Sequence, residues 1–300
     1  MTGILPSTNH VPSYLLHYLR SIRGRIVSDS WGGAQKHISQ AYVKQLQIPL
    51  PPLAKQRQIA EILDKSDALR AKRRAGLAQL GTLTQSIFLD MFGDPIPNTK
   101  CWPKSALNAL GTLERGVSKH RPRNAPELLG GPYPFVQTGD VANCDGYIRA
   151  YAGTYSGKGL RQSKMWPAGT LCITIAANIA KTGILTFDAC FPDSVVGFTA
   201  EESATVEFVR VWLSLLQASL EKNAPESAQK NINLAILRAL KVPTPPIELR
   251  RQFARRLAAI ERCKTVQRRT IDGCARLFAS LQHRAFRGEI VFEGRYGITA

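Results

Sequence analysis

Ile48-Pro49-Leu50-Pro51-Pro52-Leu53 opens the stretch that decides the fold, and no further proline follows until Pro95. Three prolines within four residues remove backbone donors and pre-set an extended entry, so whatever precedes them stops there. After Leu53 the apolar residues recur at helical spacing: Ile59, Ile62, Leu63, Leu69, Leu77, Leu80, Leu83, Ile87 and Met91. A helix from Leu53 to Met91 would be roughly 58 Å long at 1.5 Å rise per residue. Globular helices typically run 8 to 20 residues, so this length predicts a coiled coil or a spacer. Gly76 and Gly81 each weaken such a helix by up to about 1 kcal/mol relative to alanine. A partner helix must therefore hold it.

The sequence supplies that partner, because the stretch occurs twice. A shift of 194 residues brings up the second copy with no gap. Ala34-Gln35-Lys36-His37-Ile38 becomes Ala228-Gln229-Lys230-Asn231-Ile232, and Ile48-Pro49-Leu50-Pro51-Pro52-Leu53 becomes Val242-Pro243-Thr244-Pro245-Pro246-Ile247. Arg57-Gln58 becomes Arg251-Gln252, Leu63 becomes Leu257, Arg74 becomes Arg268 and Phe92 becomes Phe286. Upstream, Tyr14, Tyr18 and Leu19 fall on Phe208, Trp212 and Leu213, and Gly3 on Gly197. Two unrelated amphipathic helices would share leucines, but not Pro-x-Pro-Pro and Ala-Gln-Lys in one register.

Pro49-Leu50-Pro51-Pro52-Leu53-Ala54-Lys55-Gln56-Arg57-Gln58-Ile59, then Ile87-Phe88-Leu89-Asp90-Met91-Phe92-Gly93-Asp94-Pro95, together with the repeat, resemble the specificity (S) subunit of type I restriction–modification systems. The resemblance covers nearly the whole chain; the second copy departs from it with Arg250 in the place of Gln56. That family alternates two target-recognition domains with two long helices. The resemblance implies an α+β fold: a target-recognition domain with a twisted β-sheet plus two long antiparallel coiled-coil helices. It also implies that the helices set the spacing between half-sites on double-stranded DNA. They would recruit methyltransferase (M) subunits, which hold S-adenosylmethionine and methylate adenine; restriction (R) subunits would add ATP-driven translocation and cleavage. The candidate subunit-interface residues are Gln56, Arg57, Ile59, Leu63, Phe88 and Phe92 in the first copy, and Arg251, Phe253, Leu257 and Phe286 in the second. By the same resemblance this chain itself holds no cofactor.

Composition points the same way. A formal net charge of +18 over 300 residues implies a polyanionic partner, most often nucleic acid. An apolar fraction of 44% is ordinary for a chain with a true core. No uncharged apolar run is long enough for a membrane span, and the N-terminus does not read as a secretory signal. The six cysteines form no Cys-x-x-Cys pair, which suggests reduced thiols in a cytoplasmic protein. Cys263 and Cys274, eleven apart, suit one packed helix face.

Taken in order, residues 1–47 read as the C-terminal remnant of a first recognition domain, with an apolar stripe of Tyr14, Leu15, Tyr18, Leu19 and Ile22. By the repeat they correspond to residues 195–241, and the body that should precede them is absent, so a truncated or split subunit is expected. Residues 48–94 form the first spacer helix, 95–241 a complete recognition domain, 242–290 the second spacer helix and 291–300 a tail. Within 95–241 the β-branched runs predict strands at Tyr133–Gln137, Gly146–Tyr151, Thr170–Ile175, Gly183–Phe187 and Ser194–Phe198, with a helix over Glu207–Leu220. The second helix is very basic, through Arg250, Arg251, Arg255, Arg256, Arg262, Lys264, Arg268 and Arg269; either DNA phosphate or an acidic partner surface fits it.

No catalytic constellation stands out. Gly131-Pro132-Tyr133-Pro134-Phe135 lacks the Asn or Asp of an adenine methyltransferase motif, Gly157-Lys158-Gly159 is not a full phosphate loop, and the five histidines have no ligand spacing. What remains is binding. Arg115, Lys119, His120, Arg121 and Arg123 form one basic cluster; Lys158, Arg161, Gln162 and Lys164 form a second, next to Trp166. Lys and Arg hold phosphates, while Gln and Asn read adenine, so Gln137, Gln162 and Asn178 are the base-reading candidates, with Thr138 beside the first. The expected function is a non-catalytic DNA-recognition subunit. One alternative is a half-subunit that homodimerises to restore two recognition domains. Another is a stand-alone DNA-modifying enzyme.

Overall fold

The computed structural model describes residues 8–32, 37–120, 122, 125–176, 180–222, 233–293 and 297–299 of the 300. In chain order, the helices α1 (Pro12–Ser21), α2 (Arg23–Ser28), α3 (Gln40–Gln45) and α4 (Leu53–Phe92) come first. Strands β1 (Lys104–Ala106), β2 (Thr112–Arg115) and β3 (Leu129–Phe135) follow, then α5 (Thr138–Ala142), β4 (Tyr147–Ile148), β5 (Gly153–Tyr155) and α6 (Gly157–Arg161). Next are β6 (Met165–Trp166), β7 (Leu171–Thr174), β8 (Thr182–Leu185), β9 (Ala189–Cys190) and β10 (Val195–Thr199). The chain continues through α7 (Ser203–Lys222), α8 (Leu234–Ala239), β11 (Lys241–Pro243), α9 (Ile247–Phe286), β12 (Val291–Glu293) and β13 (Gly297–Thr299).

The repeat is visible in these boundaries. Helices α4 and α9, each of 40 residues, start and end 194 residues apart, and so do α3 and α8. Their caps repeat too. Ser39 accepts the Tyr42 N–H at 3.0 Å, and its counterpart Asn233 accepts the Ile236 N–H at 2.8 Å. Each satisfies one of the orphan donors at a helix start.

Two units form: Met1–Gln79 with Cys263–Ala300, and Leu80–Arg262. In the first, the opening half of α4 packs antiparallel on the closing half of α9. Ile59, Ala60 and Leu63 share a buried cluster with Tyr14, Ala285 and Ile290, flanked by Phe278, Leu281 and Phe286. Tyr14 and Tyr18 meet the Phe286 ring edge-on at 5.4 and 5.2 Å. Their hydroxyls donate to the carbonyls of Pro49 and Gln47, at 2.8 and 2.7 Å, and so fix the extended entry to α4. Buried His17 reaches outward from the same packing: its Nε2 lies 2.8 Å from Oδ1 of exposed Asp64, and its carbonyl accepts from Gln282.

In the second unit, the closing half of α4 runs antiparallel to the opening half of α9. Phe88, Phe92, Phe208 and Phe253 interlock there, with ring centroids 4.9 to 5.6 Å apart; such pairs each add about 0.5–1.5 kcal/mol beyond area burial. Phe92 on Phe208 repeats Phe286 on Tyr14, residue for residue. The mixed five-stranded sheet runs β2-β10-β7-β8-β4, with only the β4–β8 pair parallel. Its Leu171, Ile173, Val196 and Phe198 pack with Val209, Trp212 and Leu213 of α7. A four-stranded sheet, β5-β3-β9-β6, lies beside it, and the pair β1–β11 ties the start of the module to its end. All five expected strands overlap observed ones, the second shortened to Tyr147–Ile148, and the expected helix lies inside α7.

One expectation is corrected, and the setting of several candidate interface residues becomes clear. Cys263 is exposed, so the α9 cysteines do not share a packed face; the buried thiols are Cys172 and Cys190. Ile59, Leu63, Phe88, Phe92, Phe253 and Leu257 are all nearly fully buried in the chain's own packing, and Phe286 is partly buried against Tyr14 and Tyr18. They hold the helices together and present little to another subunit. Gln56 is buried as well; its carbonyl oxygen accepts the Val11 N–H at 2.9 Å, and its amide donates to Pro51 O at 2.8 Å.

Candidate nucleic-acid interface

The two basic clusters, distant in sequence, meet in the second unit. Gly116 lets the chain pass tightly over the turn after β9: a Cβ there would lie 2.3 Å from Phe191 O and 2.4 Å from Pro192 O. The chain after it bridges the segment after α6 through Ser118 and Ser163. Ser163 Oγ donates to Val117 O at 2.7 Å, Lys119 N donates to Gln162 O at 3.3 Å, and His120 N donates to Gln162 Oε1 at 3.0 Å. Gln162 is thus a brace between loops through its carbonyl oxygens.

Around this clamp the cations are exposed and partly tethered. Lys164 spans Glu114 and the Trp166 ring, 4.1 Å from its centroid, and that ring stacks on Phe191 at 4.8 Å. Arg115 Nε donates to Asp193 O at 3.0 Å. Lys158 and His120 lie 3.6 and 3.8 Å from Glu127. That carboxyl is held below the usual range, first by its own backbone N–H and then by the Lys158 and His120 charges. Lys119 and Arg161 are exposed with no acidic partner among the described residues. Arg121, Arg123 and Asn178 lie outside the described residues.

Gln137 and Thr138 stand elsewhere, at the start of α5. The Gln137 side chain caps that helix while its own N–H donates to Asp140 Oδ2 at 2.8 Å. Beside them opens a cleft of about 440 Å³ whose wall includes Asn143, Tyr147, Arg149 and Tyr151, which the sequence reading had not singled out. The alternation Tyr147, Arg149, Tyr151 was the available signal, since alternate residues of an extended segment share one face. Tyr147 is packed below the cleft: its hydroxyl donates to Glu207 at 2.5 Å, and Arg149 and Arg210 lie 4.9 and 5.0 Å from its ring. Burial is the main cause raising its pKa far above the ordinary phenol range. Among the described residues no group of His, Cys, Asp and Glu could hold a metal ion, and no helix is long and apolar enough to cross a membrane.

A sheet module with a clamped cationic edge, inserted between two copies of a proline-led helix, defines the class: a recognition module on a duplicated helical frame. Comparison with known proteins makes the assignment specific. The chain belongs to the family of type I restriction modification DNA specificity domains, which it matches over residues 1–79 and 101–272. It is 25% identical to a putative type I restriction enzyme MjaX specificity subunit of Methanocaldococcus jannaschii, over 95% of this chain and 70% of that protein. It is also 25% identical to the EcoBI specificity subunit of Escherichia coli, over 94% of this chain and 66% of that protein. The fold is shared with a crystal structure of the type I S subunit from M. genitalium, at a TM-score of 0.57 and 15% identity, covering 93% of this chain and 74% of that one.

Proposed function

We propose that this chain is the sequence-reading subunit of a type I restriction–modification complex. Its recognition module, residues 95–241, binds a half-site of double-stranded DNA. Its two helices, residues 48–94 and 242–290, carry the methyltransferase and restriction subunits, and the chemistry is theirs. The observation that carries the reading is the clamp: Ser118–Ser163 pairing and the Gln162 brace bring Lys119, His120 and Lys164 onto one edge of the module. The +18 net charge supplies sequence-independent affinity for a polyanion. Because the apolar helix residues are buried in this chain, exposed cations are the better-placed subunit contacts in this reading. Arg57 is one, with no partner among the described residues; its counterpart Arg251 is already paired with Glu202 and Glu248.

The test is duplex binding by fluorescence anisotropy across a salt series. Affinity is expected to fall steeply with salt, and Lys119→Ala or Lys164→Ala to reduce the log–log slope by about one each. Salt-insensitive binding contradicts the reading.

A further inference from the structure

The cleft beside α5 differs in kind from the cationic clamp. Its wall carries one carboxylate and one guanidinium, and neither is free. Asp140 accepts the Gln137 N–H, and Arg149 Nη2 donates to Glu261 Oε2 at 2.6 Å. A near-neutral cleft with its cation already paired is not built for phosphate. What it leaves unused is an exposed side-chain amide, Asn143, and the ring of Tyr151, which is 42% exposed and held edge-on by Phe187 at 5.2 Å. Among the described residues neither the Asn143 amide nor the Tyr151 hydroxyl has a hydrogen-bond partner. The cleft is continuous with the start of α5. Gly139 lines it, and Gly153, next to the lining residue Ala152, lies so close to Gln137 that a Cβ there would be 3.7 Å from its Nε2.

An asparagine amide offers one donor and one acceptor, the pair that adenine N7 and N6 complement in the major groove, and an apolar ring face suits the thymine methyl. We propose that Asn143 and Tyr151 read one adenine–thymine base pair of the bound site. Asn143 takes the adenine edge and Tyr151 the thymine methyl, while the cations of the clamp hold phosphates. Paired Arg149 positions the loop through Glu261. The inference rests on the DNA-binding reading above and adds to it a specificity-determining cleft.

The experiment uses the full chain and the duplex it selects from a random pool. Each adenine of the selected site is replaced in turn by 7-deazaadenine, which lacks N7, and each thymine by uracil, which lacks the methyl. For the wild-type chain, one 7-deazaadenine position and its paired uracil position weaken binding. Asn143→Ala abolishes the first sensitivity and Tyr151→Ala the second, and Asn143→Ala relaxes the preference at that pair by roughly 5- to 150-fold. Both side chains lie at the surface, so the fold is retained, and a thermal melt verifies this. Selective wild-type binding whose analogue profile is unchanged in both variants overturns the cleft proposal alone. A wild-type chain that binds no duplex overturns the functional reading and this proposal with it.

Discussion

Gln56 accepts the Val11 N–H at 2.9 Å, and Arg250, its repeat counterpart, donates to Thr205 Oγ1 at 2.7 Å. Val11 and Thr205 are themselves counterparts, so different side chains make the same tie from a long helix to the start of a shorter one. Gln56→Ala leaves a partly buried N–H and the Pro51 carbonyl without partners and is expected to cost about 1–3 kcal/mol in a denaturant melt. Gly146→Ala is expected to cost at least as much. Its φ of +77° lies where an L-residue loses about 1–2 kcal/mol, and the new Cβ would lie 2.5 Å from Arg210 Nη1, whose guanidinium is pinned to Glu207. Glu202 gives a pH prediction. The Arg251 hydrogen bond, first, and the Arg251 charge lower its pKa. A lowered folded value stabilises above the unfolded one, near 4.3 for glutamate, and that stabilisation is lost as pH falls through the folded value. The melting-temperature difference between wild type and Glu202→Gln should therefore be present at neutral pH and vanish on acidification. Solvent screening keeps it small.

Among the elements, the long helices were the most legible, because 40 residues of periodic sequence behind a Pro-x-Pro-Pro entry leave little else to form. The repeat register also told which residues would play equivalent parts. The short elements were not legible. β4, β6 and β9 have two residues each, and α5 and α6 five, too few for a period to show. The short strands exist because neighbouring strands pair with their backbone groups, and the short helices because their caps hold them. Nor could spacing reveal that the segments at Ser118 and Ser163 would pair, or that Gln162 would point inward to His120. The aromatic residues of the long helices, plain in sequence, were assigned to a partner when their burial serves this chain itself. The helical glycines yield an element-scale prediction. An added Cβ at Gly76 or Gly81 meets nothing within 4 Å. Gly76→Ala and Gly81→Ala should therefore each stabilise by roughly 0.5–1 kcal/mol, read as a rise in melting temperature.

At the scale of the whole molecule, +18 is too much charge for one clamp to explain. The cations fall into two populations that the structure separates by setting. Lys119, Lys158 and Lys164 crown a module with cleft, loops and a stacked Trp166–Phe191 floor, a surface with the relief to engage grooves. Arg255, Arg256 and Arg262 lie on α9, exposed and without acidic partners among the described residues. An exposed helix face carrying guanidiniums suits the acidic side chains of another protein, which can pair bidentately with each fork. Alanine at the three loop lysines should lower duplex affinity for every sequence and reduce the salt slope by up to about three. Alanine at the three helix arginines should leave that slope unchanged and weaken co-purification with the methyltransferase subunit proposed as its partner. If the helix substitutions reduce the slope as much as the loop substitutions do, the duplex also runs along α9, and the division of the charge between DNA and protein partners fails.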